Sequence, residues 1–223
     1  MTGVGAYLPE TILTNDDLSE FVDTDDSWIR QRTGIISRRK VNPDELTSDL
    51  AVKAANKALQ SAGLSINDID CIVLATTTPD CTFPSTATIV QQKLGAINAF
   101  AFDVQAVCAG FVYALSVANG LMCAGQGSNT LVIGAETFTR LLDWNDRSTC
   151  VLFGDGAGAV VLQAENSEEG YGIIANTLHS DGRYKDILYV DGGVSSTGSI
   201  GHVKMQGREV FKHAVEKLSS AME

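Results

Sequence analysis

Apolar positions along this chain fall into two patterns that alternate. Asp70-Cys71-Ile72-Val73-Leu74-Ala75-Thr76-Thr77 and Thr130-Leu131-Val132-Ile133-Gly134-Ala135 are continuous apolar runs, the mark of strands buried on both faces. Around them lie stretches of helical period. One starts with Thr47 or Ser48 as cap and stops at Gly63; another has Pro84 in its first turn and stops at Gly95. In a third, Phe111, Ala114, Leu115, Ala118, Leu121 and Met122 follow helical spacing to about Ala124, with Gly125 as the stop. Shorter helices are predicted over Thr14–Leu18, capped by Thr14 or Asn15, and over Asp25–Gly34, with acids at its start and glycine at its end. Thr2–Leu8 and Ile35–Val41 read as strands, the second strongly basic through Arg38, Arg39 and Lys40. Helices alternating with buried strands predict an α/β fold with a mostly parallel sheet covered on both faces.

The pattern changes after residue 149. Cys150-Val151-Leu152-Phe153 runs through Gly154-Asp155-Gly156-Ala157-Gly158 into an apolar strand ending at Leu162. No Lys-Ser/Thr pair follows and no helix starts there, which excludes a phosphate-cradling loop; the glycines read as a tight turn or a close backbone approach. Tyr171–Leu178 and Ile187–Val190 predict strands around a Ser-Asp-Gly turn. Gly207–Glu223 predicts a final helix with Val210, Phe211, Ala214, Val215 and Leu218 along one side.

Charge and composition narrow the partners. A net charge of −11 argues against nucleic acid, and any acidic partner must find a local basic patch. No stretch approaches the roughly 18 consecutive apolar residues of a membrane span, so no membrane partner is expected. The 5 cysteines are scattered and include no C-x-x-C pair, which argues against a disulfide framework and against a metal site. A reducing, cytoplasmic setting is the simplest match.

The candidate chemistry lies at Ala99–Leu115, a short apolar strand that breaks at Cys108 into a helix. A thiol in the first turn of a helix sits at the positive end of the helix dipole, beside N–H groups without partners, and such a site favours the attacking thiolate. The mechanics are those of the hydrolase elbow, although the G-x-S-x-G pattern is absent. A buried structural cysteine fits the same stretch. Trp28 and Arg32, four apart, share a helix face; a packed tryptophan with a snorkelling arginine accounts for that pair locally.

Read together, several segments resemble the β-ketoacyl-acyl-carrier-protein synthase III family of the thiolase-like superfamily. They are Gly-Ala-Tyr-Leu-Pro-Glu (5–10), Asp-Ser-Trp-Ile-Arg-Gln-Arg-Thr-Gly-Ile (26–35), Phe-Pro-Ser-Thr-Ala (83–87), Ala-Phe-Asp-Val-Gln-Ala-Val-Cys-Ala-Gly-Phe (101–111), Phe-Gly-Asp-Gly-Ala-Gly-Ala-Val-Val-Leu (153–162) and Met-Gln-Gly-Arg-Glu-Val-Phe-Lys (205–212). Each is weak alone; the series, in order across nearly the whole chain, is specific. The resemblance implies a layered αβαβα fold with an N-terminal half over 1–166 and the start of a C-terminal half over 167–223. It implies an acyltransferase that begins type II fatty acid synthesis. In that reaction a cysteine takes a short acyl group from acyl-coenzyme A and is then attacked by the carbanion of decarboxylated malonyl-acyl-carrier-protein.

On the same basis Cys108 matches the nucleophile, and its own N–H belongs to the oxyanion hole. Trp28 and Arg147 match a pair that sandwiches the adenine of coenzyme A, and Arg32 contacts that molecule too. Phe83 matches a residue that enters the partner subunit's acyl pocket, which implies a homodimer. Lys212 matches a carrier-protein docking position, with Arg208 one turn before it, although exposed cations on a helix are usually only solvated. No cofactor beyond the coenzyme A thioester substrate and no metal is implied.

The family's remaining catalytic groups, a histidine in His-Gln-Ala-Asn and an asparagine in Gly-Asn-Thr/Ser, have no match in this sequence. His179, His202 and His213 lie in other contexts and receive no catalytic role. The chain reads as ending about one helix into the second half of a duplicated fold. A second reading is therefore a non-catalytic fragment that binds coenzyme A or carrier protein, or assembles into a dimer.

Overall fold

The computed structural model describes residues 1–165 and 172–222. The expected boundary between residues 166 and 167, and Tyr171 at the head of a predicted strand, lie outside the described residues. In chain order the elements are β1 (Gly3–Tyr7), β2 (Thr11–Thr14), α1 (Asn15–Leu18), α2 (Asp26–Thr33), β3 (Ser37–Lys40), α3 (Thr47–Ala62), β4 (Cys71–Ala75), α4 (Thr86–Leu94), β5 (Phe100–Val104), α5 (Gly110–Cys123), β6 (Asn129–Glu136), α6 (Arg147–Cys150), β7 (Gly156–Gln163), β8 (Leu188–Val190), β9 (Val203–Met205) and α7 (Gly207–Met222). They form two compact units that interleave in sequence. The first takes Met1–Thr11, Arg39–Thr137 and Asp155–Leu178; the second takes Ile12–Arg38, Phe138–Gly154 and His179–Glu223.

The first unit is built on a five-stranded sheet of order β1-β7-β6-β4-β5. The predicted buried runs are its centre: all five residues of β4 are buried. Strand alternation divides them between two cores. Ile72, Leu74, Leu131 and Ile133 face α3 and α4, where Leu50, Ala54, Ala58 and Val90 meet them. Cys71, Val73, Ala75 and Val132 face the other way, onto Ala114 and Ala118 of α5. Each strand thus needs apolar residues at every position, as the sequence displays.

The sheet is mixed rather than mostly parallel. β4 pairs in parallel with β5 and β6, in the registers Cys71↔Phe100 and Cys71↔Thr130, whereas β6–β7 and β1–β7 are antiparallel. Continuous apolar runs report that both faces are covered, and they carry no information on strand direction. Direction depends on the end of the sheet to which each connection returns.

Gly3 and Gly5 let β1 lie directly on α3. A Cβ at Gly3 would collide with the carbonyl oxygen of Ala58, and one at Gly5 with that of Ala54. The predicted helix stops hold, with Gly34, Gly63 and Gly95 in the left-handed region at φ 71°, 67° and 75°.

Local differences from the sequence reading have specific causes. Thr47 lies inside α3 and donates its hydroxyl to the carbonyl of Thr78 at 2.6 Å, so it is not free to cap. The cap is Leu46, whose N–H is accepted by Asp49 Oδ2 at 2.9 Å. Pro84 falls before α4 rather than in its first turn; it follows a cis Phe83–Pro84 bond, and Ser85 is the cap. Gly156 and Gly158 are strand residues of β7, not a turn. Residues 172–178 are irregular, while the strand predicted at 187–190 forms as β8.

In the second unit Arg38, the first of the basic run, is buried. Its Nη2 donates to Asn15 Oδ1 at 2.9 Å and to the Val151 carbonyl at 3.0 Å, and Nη1 donates to the Leu13 carbonyl at 3.2 Å. Burial holds its pKa below the ordinary arginine value. Around it Leu18, Ile29, Cys150 and Val151 form a small core that seats α2 and α6. The apolar stripe of α7 is open, with Phe211 72% and Leu218 67% exposed.

Candidate active site

In the first unit the chain leaves β5 at Val104, passes Gln105 and Ala106, makes a 3₁₀ turn over Val107–Ala109 and enters α5 at Gly110. Cys108 is in the turn that precedes the helix rather than in the helix's first turn. It is exposed, which removes the reading of a buried structural cysteine. The residue before it, Val107, has φ 48°. A β-branched side chain is disfavoured in that region, so the turn holds local strain, as an elbow requires. The N-cap of α5, Ala109, makes no side-chain cap hydrogen bond, which leaves the first N–H groups of a 14-residue helix without a side-chain acceptor.

All five cysteines are free thiols. Burial pushes the Cys71 thiol up to about 12 and raises that of Cys150, which leaves both as inert packing groups. Phe83 stands on the loop before α4 with 83% of its surface exposed. The end of that loop is pinned from the strand that leads to Cys108: Asp103 of β5 accepts from the N–H groups of Thr86 and Ala87 at 2.8 and 2.7 Å.

In the second unit the structure brings Trp28, Arg32 and Arg147 together. Asp25 accepts from the Trp28 N–H at 2.7 Å and so starts α2, which places Arg32 one turn beyond Trp28. Asp146 caps α6 and presents Arg147. The guanidinium carbons of Arg32 and Arg147 lie 4.5 and 4.6 Å from the Trp28 ring centroid, and Arg147 Nη1 also donates to the Asp23 carbonyl at 2.7 Å. An adenine between Trp28 and Arg147 needs about twice the stacking distance, so the Arg147 side chain must swing out to admit one.

Arg208 and Lys212 are exposed on α7, one turn apart. His213 packs against Tyr184 with ring centroids 4.1 Å apart, and His179 and His202 are exposed. No described group of three or more His, Cys, Asp or Glu residues is placed to hold a metal, and no described helix is long and apolar enough to cross a membrane.

Sequence reading missed Glu136, a half-buried carboxylate at the end of β6 bound by Thr76, Thr77 and Thr78. Three consecutive threonines after a buried strand were its available signal.

Comparison with known proteins follows the same lines. The family model for 3-oxoacyl-[acyl-carrier-protein (ACP)] synthase III matches residues 102–182, the segment that contains Cys108. The β-ketoacyl-[acyl-carrier-protein] synthase III of Hyphomonas neptunium is 58% identical over 223 residues, covering 99% of this chain and 69% of that protein. That of Rhodobacter capsulatus is 60% identical over 220 residues, covering 97% and 68%. The crystal structure of 3-oxoacyl-(acyl carrier protein) synthase III from Pseudomonas aeruginosa PAO1 superposes with a TM-score of 0.91 at 43% identity, covering 99% of this chain and 68% of that one. The chain therefore spans about two thirds of these relatives' length. On its sequence and its thiolase-like fold, it belongs to the β-ketoacyl-[acyl-carrier-protein] synthase III family of condensing enzymes.

Proposed function

We propose that Cys108 is the acyl acceptor of the initiating condensation in type II fatty acid synthesis. Its thiolate attacks the thioester carbonyl of a short acyl-coenzyme A, acetyl-coenzyme A first. A new S–C bond forms, the oxyanion is met by the Cys108 N–H, and the C–S bond to coenzyme A breaks as its thiolate leaves and takes a proton. Malonyl-acyl-carrier-protein then loses carbon dioxide. Its carbanion attacks the acyl carbon and releases Cys108 together with a 3-ketoacyl-carrier protein. The observation that carries this reading is an exposed cysteine in a strained turn before an uncapped helix.

Trp28, Arg32 and Arg147 hold coenzyme A, with the ring and guanidinium planes for the adenine and positive charge for the phosphates. Arg208 and Lys212 dock the acidic carrier protein. Phe83 reaches the acyl pocket of a second copy, and the homodimer forms through β5, one of the two edge strands of the sheet, which exposes Phe100 by 43%. The reaction uses the thioester as substrate and no separate cofactor, in the cytoplasm. Decarboxylation is assigned to no residue of this sequence, because the His-Gln-Ala-Asn and Gly-Asn-Thr/Ser motifs are not in it.

The test is transfer of label from radioactive acetyl-coenzyme A to the purified protein. Label on the Cys108 peptide, lost in Cys108→Ser, is the expected outcome. Folded protein that binds coenzyme A and never becomes labelled would instead support the non-catalytic reading.

A further inference from the structure

One buried charge in the first unit has no part in the chemistry above. Glu136 closes β6, and burial raises its carboxyl above the ordinary glutamate range. Among the described residues its oxygens meet only hydroxyl and amide donors. Oε1 accepts from the Thr77 N–H at 2.7 Å, and Oε2 accepts from the Thr78 hydroxyl at 2.6 Å, with the Thr76 hydroxyl at 3.5 Å. The Thr78 hydroxyl in turn accepts from the Thr137 N–H at 2.9 Å. A carboxylate half-buried without a countercharge costs stability relative to an apolar residue. What it secures is the segment Thr76–Thr78, which follows β4 at the end of the sheet where β5 also finishes.

Two contacts tie this end of β4 to the chain on either side of the turn Val107–Ala109. Gln105, three residues before Cys108, donates from Nε2 to Thr77 Oγ1 at 3.3 Å. At the head of α5, a Cβ built on Gly110 would come within 3.3 Å of Ala75 Cβ, so the helix start is seated directly on the end of β4. The strain at Val107 requires that the surrounding structure hold the turn, and these are its holding contacts on the sheet side.

We infer that Glu136 is a positioning residue for Cys108. It acts through the Thr77 backbone and then through the Thr77 hydroxyl and Gln105, and it keeps the turn Val107–Ala109 in its strained form. The inference rests on Cys108 being the acyl acceptor.

The link can be cut at Thr77 without disturbing the buried charge, because Glu136 binds the Thr77 N–H whereas Gln105 binds its hydroxyl. Thr77→Val and Gln105→Ala are expected to lower the acyl-transfer kcat from acetyl-coenzyme A about fivefold, the equivalent of one neutral hydrogen bond. KM and the unfolding midpoint should stay at wild-type values, and Thr77→Ser should restore kcat. Glu136→Ala should lower kcat by more than either, and its combination with Thr77→Val should be less than multiplicative. Unchanged kcat in Thr77→Val and Gln105→Ala would overturn the inference, whether or not Glu136→Ala folds. A wild-type protein without acyl transfer refutes the functional reading instead. In that case iodoacetamide labelling of Cys108, slowed in Thr77→Val and restored in Thr77→Ser, still supports the positioning, and equal labelling of all three proteins overturns it.

Discussion

At the scale of single residues, the site depends on which polar and apolar groups are left open. Cys71 and Cys150 are buried and Cys108 is exposed, so three chemically identical thiols differ only in environment. The Trp28 cluster shows the same dependence. Its ring is flanked by two guanidinium groups, at 4.5 and 4.6 Å. Coenzyme A bound on Trp28, as proposed, would exchange one cation–π contact for adenine stacking. Base stacking on an aromatic ring contributes about 1–3 kcal/mol. Trp28→Ala should accordingly raise the dissociation constant for coenzyme A about tenfold, read by calorimetry, and leave the unfolding midpoint nearly unchanged, since the ring is only half-buried.

At the scale of elements, α2, α3 and α4 end where glycine permits, and α2 and α4 begin where a polar side chain is free to cap. The stops at Gly34, Gly63 and Gly95 were legible because a left-handed residue after an amphipathic stretch is almost always glycine. The starts of α3 and α4 were less so. The hydroxyl of Thr47 is taken by a partner 31 positions away, which no local window contains. Gly5 gives the clearest prediction here. A methyl group at Gly5 must displace the backbone of α3, which is not the flexible end of a side chain. Gly5→Ala should cost about 3 kcal/mol, the upper end of overpacking penalties, measured as a lowered midpoint in urea with an unchanged slope.

At the scale of the whole molecule, two features concern partners. A chain at −11 repels an acidic carrier protein except where cations are concentrated, and Arg208 and Lys212 are exposed together on α7. Reversing both, Arg208→Glu with Lys212→Glu, should raise the dissociation constant for the carrier protein about tenfold, read by calorimetry, and weaken its salt dependence. Acyl transfer from acetyl-coenzyme A should stay at the wild-type rate, because rim charges act chiefly on encounter with a charged partner. The second feature is the edge strand β5. Light scattering should give twice the mass of one chain, and Phe100→Lys, which puts a charge on that edge, should shift the protein toward the monomer.

The sequence by itself determined the buried central strands, the glycine stops of α2, α3 and α4, and the strand-to-helix break at Cys108. Those properties follow from periodicity, glycine placement and local dipoles, all of which act over a few residues. It also carried family membership, because an ordered series of short motifs survives without any knowledge of contacts. Tertiary structure alone decided the directions of β1 and β7, the strain at Val107, the burial of Arg38 and the bond from Glu136 to the threonine segment. Each of these depends on groups far apart in the chain, 59 positions for Glu136 and Thr77 and 113 for Arg38 and Val151. Cys108 needed both: its neighbours in sequence resemble the family's nucleophile motif, and the fold leaves it exposed in the turn before α5.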